Sequence, residues 1–150
     1  MSSLALNYIV GLLARREYSE FELRNKMSQK GFEQTEIDEA IKTAQARKWQ
    51  SDVRFCESYV NARAQRGYGA NRIRQELRHL KGIADEVVSA VFRECEVDWS
   101  AIALQTLRKK FPHFAEKLDL KNKQKIWRYM LSHGFYSEEF ADFIGRGEVD

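Results

Sequence analysis

The sequence predicts an all-α protein of three tandem three-helix repeats, and three observations carry that prediction. A pattern of apolar residues and one glycine recurs three times at a spacing near 50 residues. The 150 residues contain a single proline and eight glycines, a composition suited to helices joined by short turns. No Pro-, Gly- or Ser-rich linker separates the repeats, so they are expected to stack directly into an elongated, curved helical array.

The recurrence holds position by position. Leu23, Met27, Gly31, Phe32, Ile37, Ala40 and Ile41 are matched by Ile73, Leu77, Gly82, Ile83, Val88, Val91 and Phe92, with one extra residue before the second glycine. They are matched again by Ile126, Met130, Gly134, Phe135, Phe140, Phe143 and Ile144 at a constant offset of 103 residues. The expected domains are residues 1–48, 49–96 and 97–150.

In the first repeat, Leu6, Ile9, Val10 and Leu13 give helical spacing over Leu4–Arg16, and the pattern stops at Tyr18-Ser19. Ser19 followed by Glu22 is a capping-box signature, and Leu23 and Met27 mark the buried face of the second helix. Gly31 closes that helix, because a left-handed C-cap costs glycine little. A third helix is expected from Gln34 to Lys48, with Ile37, Ala40, Ile41 and Ala44 inward. The acids Glu33, Glu36, Asp38 and Glu39 gather at its start, where the helix dipole favours them.

The second repeat places Phe55, Tyr59 and Ala62 on one helix face, breaks at Gly67-Tyr68-Gly69, and resumes with Ile73, Leu77 and Leu80. Arg74, Arg78 and Lys81 follow at i, i+4 and i+7, so they are expected on one face away from that stripe. Arg63 and Arg66 bring charge to the same turn. From Arg63 to Lys81 six cations oppose only Glu76, a local net of +5. Such a ridge is either a solvated surface paired with acids elsewhere or a docking face for a polyanion or an acidic protein. Arginine outnumbers lysine here five to one, and its fork suits phosphate and carboxylate, which points to docking.

The third repeat opens at Asp98-Trp99-Ser100, runs through Ile102, Leu104 and Leu107, and breaks at Phe111-Pro112. Arg108, Lys109, Lys110, Lys117, Lys121, Lys123, Lys125 and Arg128 then oppose only Glu116 and Asp119, a net of +6. This second patch is mostly lysine, and solvated surface and anion contact both fit it. Beyond Tyr136 the sign reverses, with Glu138, Glu139, Asp142, Glu148 and Asp150 against Arg146, and the whole chain carries only +3.

The residues offer no catalytic constellation: no GxxxxGK[ST], GxSxG or HExxH motif and no histidines at metal spacing. The carboxylates Asp52, Glu57, Glu138 and Glu139 read as helix caps or solvent-facing groups. Cys56 and Cys95 are isolated and read as small apolar core residues, and His79, His113 and His133 are scattered without partners. Tyr8, Trp49, Tyr59, Trp99, Trp127, Phe135 and Phe143 mostly fall on apolar stripes and read as core. Tyr68 is the exception, set in the glycine turn beside the arginines. No apolar run approaches the roughly 18 residues of a spanning helix, and no signal-peptide pattern opens the chain, so a cytoplasmic protein without metal or cofactor is expected.

The run Asp52-Val53-Arg54-Phe55, Tyr59-Val60, Arg63, Gly67-Tyr68-Gly69, Arg72-Ile73, Glu76-Leu77 and Lys81-Gly82-Ile83 resembles the signature of the RecX family, bacterial regulators of the RecA recombinase. Arg15-Arg16, Ser19-Glu20, Glu22-Leu23-Arg24, Lys26-Met27 and Lys30-Gly31-Phe32 look like that family's opening repeat. Three departures are visible. Ala70 stands where the family usually has proline, one residue is added in Arg78-His79-Leu80-Lys81, and Lys48-Trp49-Gln50-Ser51 replaces a Gly-Tyr-Leu-Asp run.

The resemblance implies a non-enzymatic, monomeric inhibitor that lies in the groove of the RecA–DNA filament and suppresses its ATPase, strand exchange and co-protease activities. Single- and double-stranded DNA would be weaker, non-specific partners, with no membrane contact. The candidate filament contacts are Arg63, Arg66, Tyr68, Arg72, Arg74, Arg78 and Lys81. Arg108, Lys109, Lys110, Lys121, Lys125 and Arg128 form a secondary basic patch. The alternative is a helical module that grips DNA phosphates directly, without sequence preference and without a recombinase.

Overall fold

The structure, a computed structural model, describes residues 3–145. Among them it holds nine α-helices and no strand. They are α1 (Ser3–Leu13), α2 (Glu20–Lys30), α3 (Gln34–Ala46), α4 (Asp52–Gln65), α5 (Ala70–His79), α6 (Asp85–Glu94), α7 (Trp99–Lys110), α8 (Leu120–Ser132) and α9 (Ser137–Phe140), and a 3-10 turn follows at Ala141–Phe143. The fold is an all-α helical repeat. The last repeat's third helix is a single α-turn continued by the 3-10 turn. The acidic tail expected from Glu148 and Asp150, with Arg146, lies outside the described residues.

The recurring apolar positions are the core. Leu23, Met27, Ile73, Leu77, Val88, Met130 and Phe140 are completely buried, and Ile37, Ile41, Ile83, Ile126 and Phe135 nearly so. Gly31, Gly82 and Gly134, the three equivalent glycines, have φ of 100°, 64° and 96°, the left-handed region in which side-chain-bearing residues are strained. The Ser19 capping box forms as expected: Glu22 N–H donates to Ser19 Oγ at 3.1 Å, and Ser19 N–H donates to the Glu22 carboxylate at 3.0 Å.

Several facings differ from expectation. The buried stripe of α4 is Phe55, Cys56, Val60 and Ala64, whereas Ala62 is exposed and Tyr59 sits at the edge, its hydroxyl donating to Glu76 at 2.9 Å. Leu80 is not core. Helix α5 ends at His79, the chain turns back through Gly82, and Ile83 is buried while Leu80 is 63% exposed. In α1 the inward residues are Ala5 and Ile9, with Val10 on the surface, and Trp49 and Trp127 are also exposed. Helix α3 stops at Ala46, short of Lys48, whose φ of 62° takes it out of the helical region.

Packing divides the chain into two compact units, Met1–Tyr59 with Glu76–Cys95, and Val60–Gln75 with Glu96–Asp150. In the first, Ala5, Ile9, Tyr18, Leu23, Met27, Ile37, Ala40, Ile41 and Ala44 form the core. Cys56 is buried there, and burial, with the charges of Glu57 and Asp52, pushes its thiol pKa up to about 12. The Asp52-x-Arg54 part of the central motif ties helices together. Asp52 Oδ1 accepts Glu20 N–H at 2.9 Å, at the start of α2, and the Gln50 amide at 3.0 Å. Arg54 pairs with Glu17 at 2.6 Å and donates to the carbonyls of Lys48 and Trp49 at 3.0 and 2.9 Å, just past the end of α3. Gln50, from the departing run Lys48–Ser51, is itself buried and donates to the Tyr18 carbonyl at 3.2 Å.

In the second unit Ala103, Leu107, Phe114, Ile126, Met130, Phe135, Phe140 and Ile144 form the core. Asp98 and Asp119 cap α7 and α8, accepting the N–H groups of Ala101 and Asn122.

Candidate functional site

In the second unit the turn between α4 and α5 is locked onto the end of α8. Gly67, at φ 91°, lets the chain leave α4. Gly69 then comes so close that an added Cβ would lie 2.4 Å from the Gly134 carbonyl carbon. Two backbone bonds fix the approach: Gly69 N–H donates to the His133 carbonyl at 2.7 Å, and Asn71 N–H to that of Gly134 at 2.9 Å.

This clamp presents Tyr68 to the end of α8. Its ring stacks on the His133 imidazole at 5.0 Å and 9° between planes, and His133 in turn stacks on Tyr129 at 4.1 Å and 24°. The guanidinium carbons of Arg63 and Arg72 lie over the Tyr68 ring at 4.0 and 4.4 Å, in cation–π contact. His133 Nδ1 lies 3.4 Å from the Gly67 carbonyl oxygen. Burial lowers the pKa of His133; the Gly67 contact works against that, and the positive charges of Arg72 and Lys110 reinforce it. The ring is therefore neutral at neutral pH.

Beside this aromatic column lies a groove of about 510 Å³, lined by Gln65, Arg66, Gly67, Tyr68, Gln105, Thr106, Lys109, Lys110, Tyr129 and His133. Three of those side chains are cationic and none is acidic, so an anion entering the groove meets no opposing carboxylate on its walls. Lys109 and Lys110 occupy the last turn of α7, where cations also complement the helix dipole, and Lys110 Nζ stands 5.6 Å from the Tyr129 ring. Arg66 comes from the central basic cluster and the two lysines from the second patch, 43 and 44 residues further along. The fold joins what the sequence showed as separate runs.

The remaining cations fall elsewhere. The ridge of Arg74, Arg78 and Lys81 does not form as expected, because α5 ends at His79 and Lys81 lies beyond it. In the first unit, Lys81 Nζ pairs with Glu22 at 3.0 Å, and Arg78 Nε pairs with Asp85 at 2.9 Å. Arg74 is half-buried in the second unit. Arg108 is exposed on α7, and Lys121, Lys125 and Arg128 are exposed along α8 at i, i+4 and i+7.

The expectation that the histidines lack partners fails for His133, which anchors the aromatic column, and for His113, which pairs with Glu116. Tyr129, Gln65 and Gln105 also line the groove, and no motif or charge run in the sequence marks them. The one available signal was His133 standing immediately before Gly134, the third repeat glycine, against which the central turn closes. Among the described residues, no group of three or more His, Cys, Asp or Glu could hold a metal ion, and no helix is long and apolar enough to cross a membrane.

Three family models match the chain in succession: RecX first three-helix domain over residues 5–42, second over 51–91 and third over 96–144. The chain is 60% identical over its whole length to the regulatory protein RecX of Mannheimia succiniciproducens, covering 98% of that protein. It is 61% identical to that of Haemophilus influenzae, again over all of this chain and covering 99% of the relative. The fold is similar to a crystal structure of RecX from Lactobacillus salivarius, with a TM-score of 0.75 at 19% identity, covering 94% of this chain and 92% of that one. A second crystal structure, of a regulatory protein RecX, aligns with a TM-score of 0.76 at 17% identity over 93% of this chain and 70% of its own.

Proposed function

This chain belongs to the RecX family of regulatory proteins, and from that premise we propose that it inhibits a RecA recombinase by binding in the groove of the RecA–DNA filament. Binding there suppresses ATP hydrolysis, strand exchange and co-protease activity without any chemistry by the chain itself. The observation that carries the reading is the acid-free groove of the second unit, where Arg66, Lys109 and Lys110 converge beside Tyr68, Tyr129 and His133. A nucleoprotein filament is a repeating polyanionic surface, and cations gathered in a concave site gain on it by counterion release as well as direct attraction. Arg63 and Arg72 support the site through Tyr68; Arg74, Arg108, Lys121, Lys125 and Arg128 offer further contacts on the second unit, and Arg78 and Lys81 complete the candidate set separately on the first. Within that set Arg78 and Lys81 are already ion-paired to Asp85 and Glu22, so they contribute less than the groove cations.

The same groove favours a second reading, a direct DNA-binding module, because its chemistry suits phosphate whether or not a recombinase is present. Binding to DNA alone, to recombinase alone and to the assembled filament separates the two. The filament reading predicts that the assembled filament is bound far more tightly than either component. Equal affinity for bare DNA and filament would favour the module.

A further inference from the structure

We propose that the groove of the second unit takes an unpaired nucleotide of a single nucleic-acid strand, with its phosphates on Arg66, Lys109 and Lys110 and its base against Tyr129, edged by the amides of Gln65 and Gln105. This rests on the reading above that the groove is the face turned to nucleic acid, and it adds which form of nucleic acid fits. The groove has the size of a single nucleotide. A cavity of about 510 Å³ lies within the range of roughly 300–1,000 Å³ typical of small-molecule sites. That space takes one nucleotide, whereas a duplex meets only its rim.

The polar groups on its walls are not all cations. Lysine and arginine alone would serve any phosphate backbone, but the groove also carries two carboxamides, Gln65 at the end of α4 and Gln105 in the middle of α7, both exposed. A carboxamide presents a donor pair and an acceptor together, which complements the edge of a nucleobase. Inside a duplex the Watson–Crick edge is occupied by the partner base, so it reaches such amides only when unpaired.

The groove is also preorganised. Tyr68, His133 and Tyr129 are already packed ring against ring, and the turn holding Tyr68 is fixed by the Gly69–His133 backbone bond. The aromatic wall is therefore in place before a ligand arrives, and little side-chain entropy remains to be lost on binding.

Fluorescence anisotropy with the full chain tests this, using a labelled oligothymidine, an abasic oligomer of the same length and charge, a hairpin duplex, and AMP as competitor. The proposal expects oligothymidine to bind about fivefold or more tighter than the abasic strand or the duplex. The Gln65→Ala/Gln105→Ala variant, altered only at exposed positions and keeping Tyr129, should lose part of that margin while its affinity for the abasic strand stays unchanged. Equal binding of oligothymidine and abasic strand overturns the proposal. So does displacement by AMP at concentrations as low as those of the strand's own nucleotides, which would make free nucleotide the ligand. Inhibition of the recombinase filament, measured on the same variant and on Lys109→Glu/Lys110→Glu, keeps the two readings apart. Loss of inhibition in the lysine variant, with equal oligothymidine and abasic binding, leaves filament regulation standing and removes only the nucleotide site.

Discussion

The backbone N–H of Gly69 donates to the carbonyl of His133 at 2.7 Å, and this bond joins the turn after α4 to the end of α8. It explains why the central motif carries a glycine there. A Cβ at Gly69 would stand 2.4 Å from backbone atoms of Gly134, and backbone cannot swing aside as a long side chain can. Gly69→Ala should therefore cost on the order of 1–3 kcal/mol, through strain and loss of the bond. Thermal melting checks the cost, and the aromatic near-ultraviolet signal checks the displacement of Tyr68 from His133. An unchanged melt would mean that the clamp is dispensable.

Leu77 and Leu80 separate what is core from what only resembles it. Leu77 is completely buried, and Leu77→Ala should cost about 2–5 kcal/mol through lost burial and a residual cavity. Leu80, 63% exposed, should tolerate alanine within about 0.5 kcal/mol. Paired denaturant titrations measure both, and similar losses at the two sites would contradict the facing of α5.

The signature residue Asp52 is expected to act on stability and not on ligand binding, since it accepts the Glu20 N–H at the start of α2 in the first unit. Asp52→Ala should lower stability by about 0.5–2 kcal/mol, as loss of a helix cap does. Strand binding by the folded variant should match that of wild type.

Lys81→Glu is expected to destabilise the protein, because it would set a carboxylate where the ammonium now pairs with Glu22 at 3.0 Å. Burial raises the Glu22 pKa, but its bonds from Arg16, the Ser19 N–H and Lys81 more than offset this and hold it below the usual carboxylate range. A depressed carboxylate pKa stabilises the fold above its unfolded value and loses that stabilisation as pH falls through the folded value. Melting of Lys81→Glu and Lys81→Ala at neutral pH should show the larger loss for glutamate, about 1 kcal/mol beyond alanine.

The His133 pKa lies below the ordinary 6.5, through burial first and then the charges of Arg72 and Lys110. As pH falls the unfolded chain takes up the proton first, so the stability linked to His133 is fully present above about 6.5 and lost as pH drops through the folded value. An anion in the groove favours the imidazolium, so affinity for a nucleic-acid strand should rise over the same interval. Comparing wild type with His133→Gln between pH 7.5 and 5.5 should show both trends weaker in the variant. Identical pH profiles would remove His133 from the site.

The repeat was legible because it rests on local chemistry. Apolar spacing, the Ser19–Glu22 capping box and the glycines at Gly31, Gly82 and Gly134 each act within one helix or its end. Leu80 and Lys81 continue the helical spacing of the sequence but lie beyond α5, which ends at His79, and periodicity alone does not show where a helix stops. The groove was half legible: its cations stood out as charge runs, but the meeting of Arg66 with Lys109 and Lys110 depends on tertiary packing. His133 and Tyr129 carry no pattern that ties them to Tyr68, more than sixty residues earlier.

If the groove cations of the second unit make the functional contact, the decisive reading is recombinase ATPase against rising concentrations of Arg66→Glu/Lys109→Glu/Lys110→Glu. All three side chains are exposed, so helical content should match wild type. This folded variant should no longer suppress filament ATPase. Suppression at wild-type concentrations would contradict it.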